Sequence, residues 1–376
     1  MRVLVLTSAL VLTALPAARA VTAIAPGQIT SSAVCGTCHR DIFRMWRASA
    51  HSTSVENVVF QDALAEADRR TPGTARICLG CHAPFAELGN DFALRQQVTW
   101  EGVSCDACHS LVSVAPGPHG FAQTLDPGPV KHGPIRDAVS TAHATAYSPL
   151  HTTAMACAGC HEYVTSDGTP IITTFSEWQA STFGQQNRTC QSCHMSLTRA
   201  AVVDPRVKRV ATDQVNLHEM PGGHSLSQLN KGVTVTERAA RQGDEMTLTV
   251  TVANKGAGHS VPTGMPGRRI ILDVRVTTPT DKFEDRRVYT KTFQDATGAT
   301  IDVDGAAFGP GVRLVEDSRI KAGEQRVETF HFPVPARETA TATVKLHYEH
   351  QPGSAPENRT WFTFYSQSRA YPPDAP

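Results

Sequence analysis

Apolar and polar residues follow two rhythms along this 376-residue chain. In the second half they alternate: Val233-Thr234-Val235-Thr236, Met246 to Val252, Arg269 to Val276, Val288 to Phe293, Glu328 to Phe332 and Thr341 to Tyr348. Successive strand residues point to opposite faces, so each run reads as a strand with one buried face. Gly, Pro and Asp clusters separate the runs, as turns require. About seven short strands in this span predict an all-β sandwich of immunoglobulin-like type over 227–352. A Pro-rich tail, 353–376, follows, with Trp361 to Tyr365 as a last strand or a docking segment.

The first half, 21–226, has neither alternation nor long apolar runs. It is rich in Ala, His and Pro and reads as short helices and irregular loops. One stretch is clearly amphipathic: Ile42, Met45, Trp46 and Ser49 share a face at helical spacing within Asp41 to Ala50. Ahead of it, Met1-Arg2, the apolar Val3 to Leu15 and Ala18-Arg19-Ala20 read as a signal peptide, 1–20, cleaved near Val21. The expected product is exported, periplasmic or extracellular, with no membrane span in the mature chain.

All ten cysteines fall in five copies of one pentapeptide, which accounts for the missing core. The copies are Cys35-Gly36-Thr37-Cys38-His39, Cys78-Leu79-Gly80-Cys81-His82, Cys105-Asp106-Ala107-Cys108-His109, Cys157-Ala158-Gly159-Cys160-His161 and Cys190-Gln191-Ser192-Cys193-His194. Cys-x-x-Cys-His attaches c-type haem: two thiols bond the porphyrin and the next imidazole becomes the proximal iron ligand. Zinc knuckles need no His after every second Cys, disulfide frameworks do not repeat a pentapeptide, and a thioredoxin-type pair occurs once. Five covalently bound haems c are therefore expected, with His39, His82, His109, His161 and His194 as proximal ligands. Their porphyrins would supply the apolar area that the first half lacks, leaving the apo chain largely unfolded.

Charge then changes sign. Lys and Arg total 35, as do Asp and Glu. Losing Arg2 and Arg19 and gaining about two propionates per haem makes the holoprotein acidic. That composition gives no reason to expect nucleic acid, and a basic redox partner suits it, although donor and acceptor are not named by sequence.

Eleven of the 16 histidines remain as distal ligand candidates. His51 closes the amphipathic stretch. A helical path would place it about 18 Å from His39, whereas two nitrogens on one metal lie only about 4 Å apart, so it would serve a neighbouring haem. His143 and His151 bracket Tyr147-Ser148-Pro149-Leu150, and His218 and His224 flank Met220-Pro221-Gly222-Gly223. His259 lies in a Gly/Pro loop between two strands, the kind of loop a rigid sheet presents. His119 and His132 read as solvated loop residues, and His331, His347 and His350 as surface residues of the strands. Met45, Met195, Met220 and Met265 have weaker positional cases than the histidines near them.

Several of these segments together resemble a family. Lys131-His132-Gly133-Pro134, Asp137-Ala138-Val139-Ser140, His143, Tyr147-Ser148-Pro149-Leu150-His151 and then Cys157 to His161 are similar to the multihaem cytochromes grouped with cytochrome c-554, kin to hydroxylamine oxidoreductase and pentahaem nitrite reductase. Trp46 to His51, Gly258 to Gly264, Arg268-Arg269 and Ser318 to Glu324 extend the resemblance over most of the mature chain. It implies closely packed bis-His haems and electron transfer, with His51, His143, His151, His218 and His259 at matching positions. The fifth haem site and the appended sandwich depart from cytochrome c-554 itself. Bis-imidazole ligation implies low potentials. An electron carrier, with no catalytic residues, is the leading expectation. A multihaem oxidoreductase acting on a small nitrogen or sulfur oxyanion needs an open iron, and a subunit of an extracellular cytochrome filament is the third reading.

Overall fold

The computed structural model describes residue 25, residues 27–210 and residues 213–373. The signal-peptide reading of 1–20 lies outside the described residues.

In the first half, four short helices carry whole pentapeptides, Ala75–His82, Cys105–His109, Met155–His161 and Cys190–His194, while the first motif starts in Ser32–Gly36 and runs through a turn to His39, the N-cap of Arg40–Arg47. The pattern needs only a turn or two, because Cys, Cys and His at i, i+3 and i+4 share one helix face. Side-chain caps start two of them: Ser31 accepts from the Ala33 N–H, and Ser104 from the Ala107 N–H. Apolar clusters here are small, such as Val55, Phe60, Leu79, Ala83 and Ala86. They surround a cavity of about 1710 Å³, well above the roughly 300–1,000 Å³ of a single small-molecule site.

The first half is not purely helical and irregular. Strands β1 (Leu111–Gly117) and β2 (Gly120–Leu125) form an antiparallel hairpin. Val130–Gly133 pairs in parallel with Ala144–Tyr147. The hairpin turns at Gly120, whose φ of 109° strains any L side chain.

The second half contains two principal antiparallel sheets. Strands β3 (Val233–Gln242), β4 (Glu245–Asn254), β5 (Arg268–Thr277) and β6 (Lys282–Tyr289) come first. A small sheet of β7 (Lys291–Gln294), β8 (Thr300–Ile301) and β9 (Arg313–Asp317) follows. Then come β10 (Gln325–Pro333), β11 (Ala340–His350) and β12 (Thr360–Tyr371). The strand orders are β10-β4-β3 and β6-β5-β11-β12. Their inner faces meet in one apolar cluster: Met246, Leu248, Val250 and Val252 from β4, Ile270, Leu272 and Val274 from β5, and Val344 and Leu346 from β11.

Three boundaries differ from the sequence reading. Val288 to Phe293 is not one strand: the chain leaves β6 at Tyr289 and enters the small sheet at Lys291. Thr290 makes the corner, its N–H donating to Ser318 Oγ and its hydroxyl to the Arg268 carbonyl. The expected tail supplies β12, paired with β11 from Ala340↔Tyr371 to His350↔Thr360. Nor do the halves keep separate cores. Ile171 packs with Phe293, Ile301, Ala306, Ala307 and Val312, and a Cβ on Gly305 would lie 2.2 Å from the Ala63 carbonyl.

Candidate functional site

The motif helices turn the five proximal imidazoles toward the cavity, which all five line together with every motif cysteine except Cys193. Four have Nδ1 on a backbone carbonyl: His39 on Val202 (2.6 Å), His82 on Ser54 (3.0 Å), His109 on His132 (2.7 Å) and His194 on Pro221 (2.7 Å). An Nδ1–H donated to a carbonyl fixes the tautomer and leaves the Nε2 lone pair for a metal. Burial suits that role by keeping the rings neutral. It pulls His109 down to about 4 and His161 to about 3.

A second imidazole faces each of four proximal ones. Ring centroids are 6.3 Å apart for His39 and His143, 6.4 Å for His161 and His51, 6.5 Å for His109 and His218, and 6.3 Å for His194 and His259. The facing rings repeat the orienting bond: His143 Nδ1 on Ala144 O, His218 on Asn216 O and His259 on Ser260 O. His51 is the exception, with a buried Nδ1 that has no protein partner. His51 lies against the fourth motif rather than its own.

Two further candidates are placed differently. His151 also lies 5.9 Å from His109, but its Nε2 bonds the Cys108 carbonyl and its buried Nδ1 has no partner. His224 faces no motif histidine among the described ring contacts. Its Nε2 is 3.3 Å from His350 Nδ1, and His350 Nε2 is 2.6 Å from Asp304 Oδ2. Asp304 Oδ1 accepts the Gly267 N–H at 2.7 Å.

His82 stands apart. Its described ring contact is Phe60, stacked at 4.0 Å, and no imidazole faces it among the described residues. The charges of Asp304 and Arg268 both act on it. Tyr348 lines the same cavity with a fully buried, unpartnered hydroxyl, pushed up to about 12 by burial. The β half thus contributes Arg268, Asp304, Tyr348 and His350 to the cavity wall. His350 and His347 are buried, against the surface role expected of them. His119 is stacked on Tyr163, and the His132 carbonyl orients His109.

Thiols of different motifs lie near one another: Cys35 and Cys105, Cys81 and Cys160, and Cys157 and Cys190 each act on the other's ionisation. None of the ten is in a disulfide. Among the described residues, no group of three or more His, Cys, Asp or Glu could hold a bare metal ion.

The residues fit covalent haem. Thiols occur in pairs one helical turn apart, each beside an imidazole oriented to present Nε2, around an apolar cavity too large for side chains to fill. The orphaned His51 Nδ1 lies in that cavity wall. Residues 34–110 match the family model described as cytochrome c554 and c-prime. Over 92% of this chain and 100% of the other, the fold matches the crystal structure of a penta-heme cytochrome c552 from Thermochromatium tepidum, at TM-score 0.71 and 20% identity. The solution structure of R. palustris CsgH aligns over 34% of this chain and 87% of that chain, at TM-score 0.17 and 10% identity, which bears no argument. No curated protein matches.

Fold and site define a multihaem c-type cytochrome with covalently bound haem c. Within that class the segment Val34 to Ser110 is similar to the cytochrome c554 and c-prime family. Among the described residues no helix is long and apolar enough to cross a membrane.

Proposed function

We propose that the chain is an exported electron-transfer cytochrome with five haems c, one per motif, four of them bis-His and that of the second motif open on one side. The observation that carries this is the spacing of the rings. An imidazole nitrogen lies about 2 Å from its metal and its ring centre roughly 1.1 Å further, so two rings on one iron have centroids roughly 6.2–6.4 Å apart. Four pairs fall at 6.3–6.5 Å, and His82 has no such partner. His51, His143, His218 and His259 are the proposed distal ligands. The Nε2 of His151 and of His224 is engaged by a carbonyl and by a second histidine, respectively.

Bound there, the haems would supply one-electron storage at each iron and, at His82, an exchangeable axial position. The chain decides which sites adjoin. The neighbouring thiols set the first motif beside the third, the second beside the fourth, and the fourth beside the fifth. Cys108 acts on the charge of both Cys157 and Cys160, which links third to fourth. Haems held there would adjoin in the order one–three–four, with the second and fifth sites beside the fourth.

The open side of His82 favours a second reading, reduction or oxidation of a small nitrogen or sulfur oxyanion there. Buried donors without protein partners, Tyr348 Oη and Arg268 Nε, support it. The strand orders β10-β4-β3 and β6-β5-β11-β12 support the immunoglobulin-like reading of the second half. The acidic holoprotein would meet a basic redox partner in the periplasm or outside the cell.

Electron paramagnetic resonance of the oxidised protein tests the proposal. One high-spin ferric signal beside four low-spin signals is expected. Five low-spin signals would remove the open iron, and with it the oxyanion reading.

A further inference from the structure

Glu177 belongs to the helix Thr174–Ala180 of the haem-bearing half, yet most of its bonds reach into the β half. Its Oε2 accepts the Ser260 N–H at 2.9 Å and the Thr263 hydroxyl at 3.1 Å. Its Oε1 accepts Arg319 Nη2 at 2.6 Å and the Thr173 hydroxyl at 2.5 Å. Arg319 in turn donates Nη1 to the Pro262 carbonyl at 3.3 Å and pairs with Asp317 at 2.7 Å. Both partners are withdrawn from water, at 5% side-chain exposure for Arg319 and 15% for Glu177.

These bonds converge on the loop that bears His259. Asn254 Nδ2 holds the His259 carbonyl, Glu177 the Ser260 N–H, Arg319 the Pro262 carbonyl and Arg268 the Thr263 carbonyl. On the near side, Gly258 presses against the helix of Glu177 and the next, Thr182–Gln185: a Cβ there would lie 3.1 Å from Trp178 and 3.0 Å from Phe183. A buried ion pair is a poor source of net stability, because desolvation offsets the attraction, and a packed apolar pair of the same shape often does as well. What such a pair does well is fix one geometry, since each bond has direction.

We propose that Glu177 and Arg319 are positioning residues for His259, locking its loop so that the imidazole stays opposite His194. The proposal rests on the reading of His259 as distal ligand of the fifth haem. The pair acts through the loop: neither Glu177 nor Arg319 lines the cavity. Loss of the carboxylate leaves the Ser260 N–H without its acceptor, leaves the Thr263 hydroxyl only Thr174, and takes one partner from Arg319, so the loop gains alternatives in which the ring is withdrawn.

The test uses the holoprotein and counts carbon monoxide bound to the reduced form, beside the high-spin fraction of the oxidised form. His259→Ala is the reference and should bind one equivalent more than the parent. Glu177→Ala should move toward that count and gain high-spin signal at one haem. Glu177→Gln, which keeps one oxygen acceptor, should fall between. A folded Glu177→Ala that matches the parent in both readouts, while His259→Ala gains its equivalent, would show that the pair only ties the two halves together. Should His259→Ala itself match the parent, the ligand reading fails instead. Thr263→Val removes two hydrogen bonds, to Glu177 and to Thr174, and no charge, and serves if Glu177→Ala does not fold. Carbon monoxide should then enter the fifth haem several-fold faster than in the parent, and an unchanged rate overturns the proposal.

Discussion

Asp304→Ala is the sharpest perturbation of the wall beside His82. The carboxylate is 3% exposed and takes two bonds, from the Gly267 N–H at 2.7 Å and from His350 Nε2 at 2.6 Å. An alanine offers neither acceptor. Each buried donor left alone costs about 1–3 kcal/mol, so the pair costs about 2–6 kcal/mol. Asp304→Asn keeps an oxygen for Gly267 but turns an amide donor toward His350. Relief requires His350 to reverse its tautomer, which sets a proton against His224; the expected cost is about 1–3 kcal/mol. The assay is urea unfolding of the oxidised holoprotein, followed in the haem absorbance. With a slope of about 3 kcal/mol/M, the Ala variant should lose roughly 1 M or more of its midpoint at unchanged slope. A loss below about 0.5 kcal/mol for Ala, or a larger loss for Asn than for Ala, would refute the reasoning.

Other outcomes are open to measurement. Intact mass and the pyridine haemochrome of the purified protein should show five haems c, and fewer would leave at least one motif empty. Expressed without haem attachment, the first half should show no cooperative unfolding of its own, because its apolar clusters are small and border a large cavity; a cooperative transition of that half would show that the porphyrins supply little of its core. His51→Ala should convert one low-spin haem to high-spin, whereas His224→Ala should convert none; a spin change in the latter would make His224 a ligand. Stability should fall with acid through His224, whose burial pulls it from 6.5 to about 3. The folded value lies below the unfolded one, so the contribution is present above pH 6.5 and lost as pH drops toward 3. At pH 5 the loss is about 2 kcal/mol. Unfolding midpoints at pH 8 and pH 5 should therefore differ less in His224→Gln than in the parent; equal differences would show that His224 does not titrate this way.

The attachment sites were legible because covalent chemistry leaves no freedom: two thiols and an imidazole must sit on one helix face. Distal partners were less so. His224 and His259 both lie near Gly and Pro in loops, and nothing local separates them. The distinction comes from residue 350, where a histidine across the fold occupies the Nε2 of His224. That signal was in the sequence. Ala342, Val344, Leu346 and Tyr348 are the buried, in-phase positions of β11, and His350 is the next one. Two steps further along the same face, a histidine points inward, not to solvent. The strand β12 was harder to read because the ladder slips between Leu346 and His347, which breaks the alternation around Trp361 to Tyr365. The corner at Thr290 depends on Ser318 and Arg268, both distant in sequence.

The wall residues share one end of the two sheets, and topology explains why. Strand β4 ends at Asn254 and β5 begins at Arg268, so the loop between them, with His259, emerges there. Strand β11 runs antiparallel to β5 and pairs Arg268 with His350, which brings Tyr348 and His350 to the same end. One edge of a rigid scaffold can thus face two different irons, offering an imidazole to one and a polar wall to the other. On the proposed ligation, the first contact would complete a haem for electron transfer. The second would leave one position of another iron free, beside buried groups that lack partners, an arrangement costly to stability unless a ligand supplies them. On the proposed ligation, a cut at residue 226 would therefore not detach a module from a finished carrier. It would take the sixth ligand from the fifth haem and expose the open one to water.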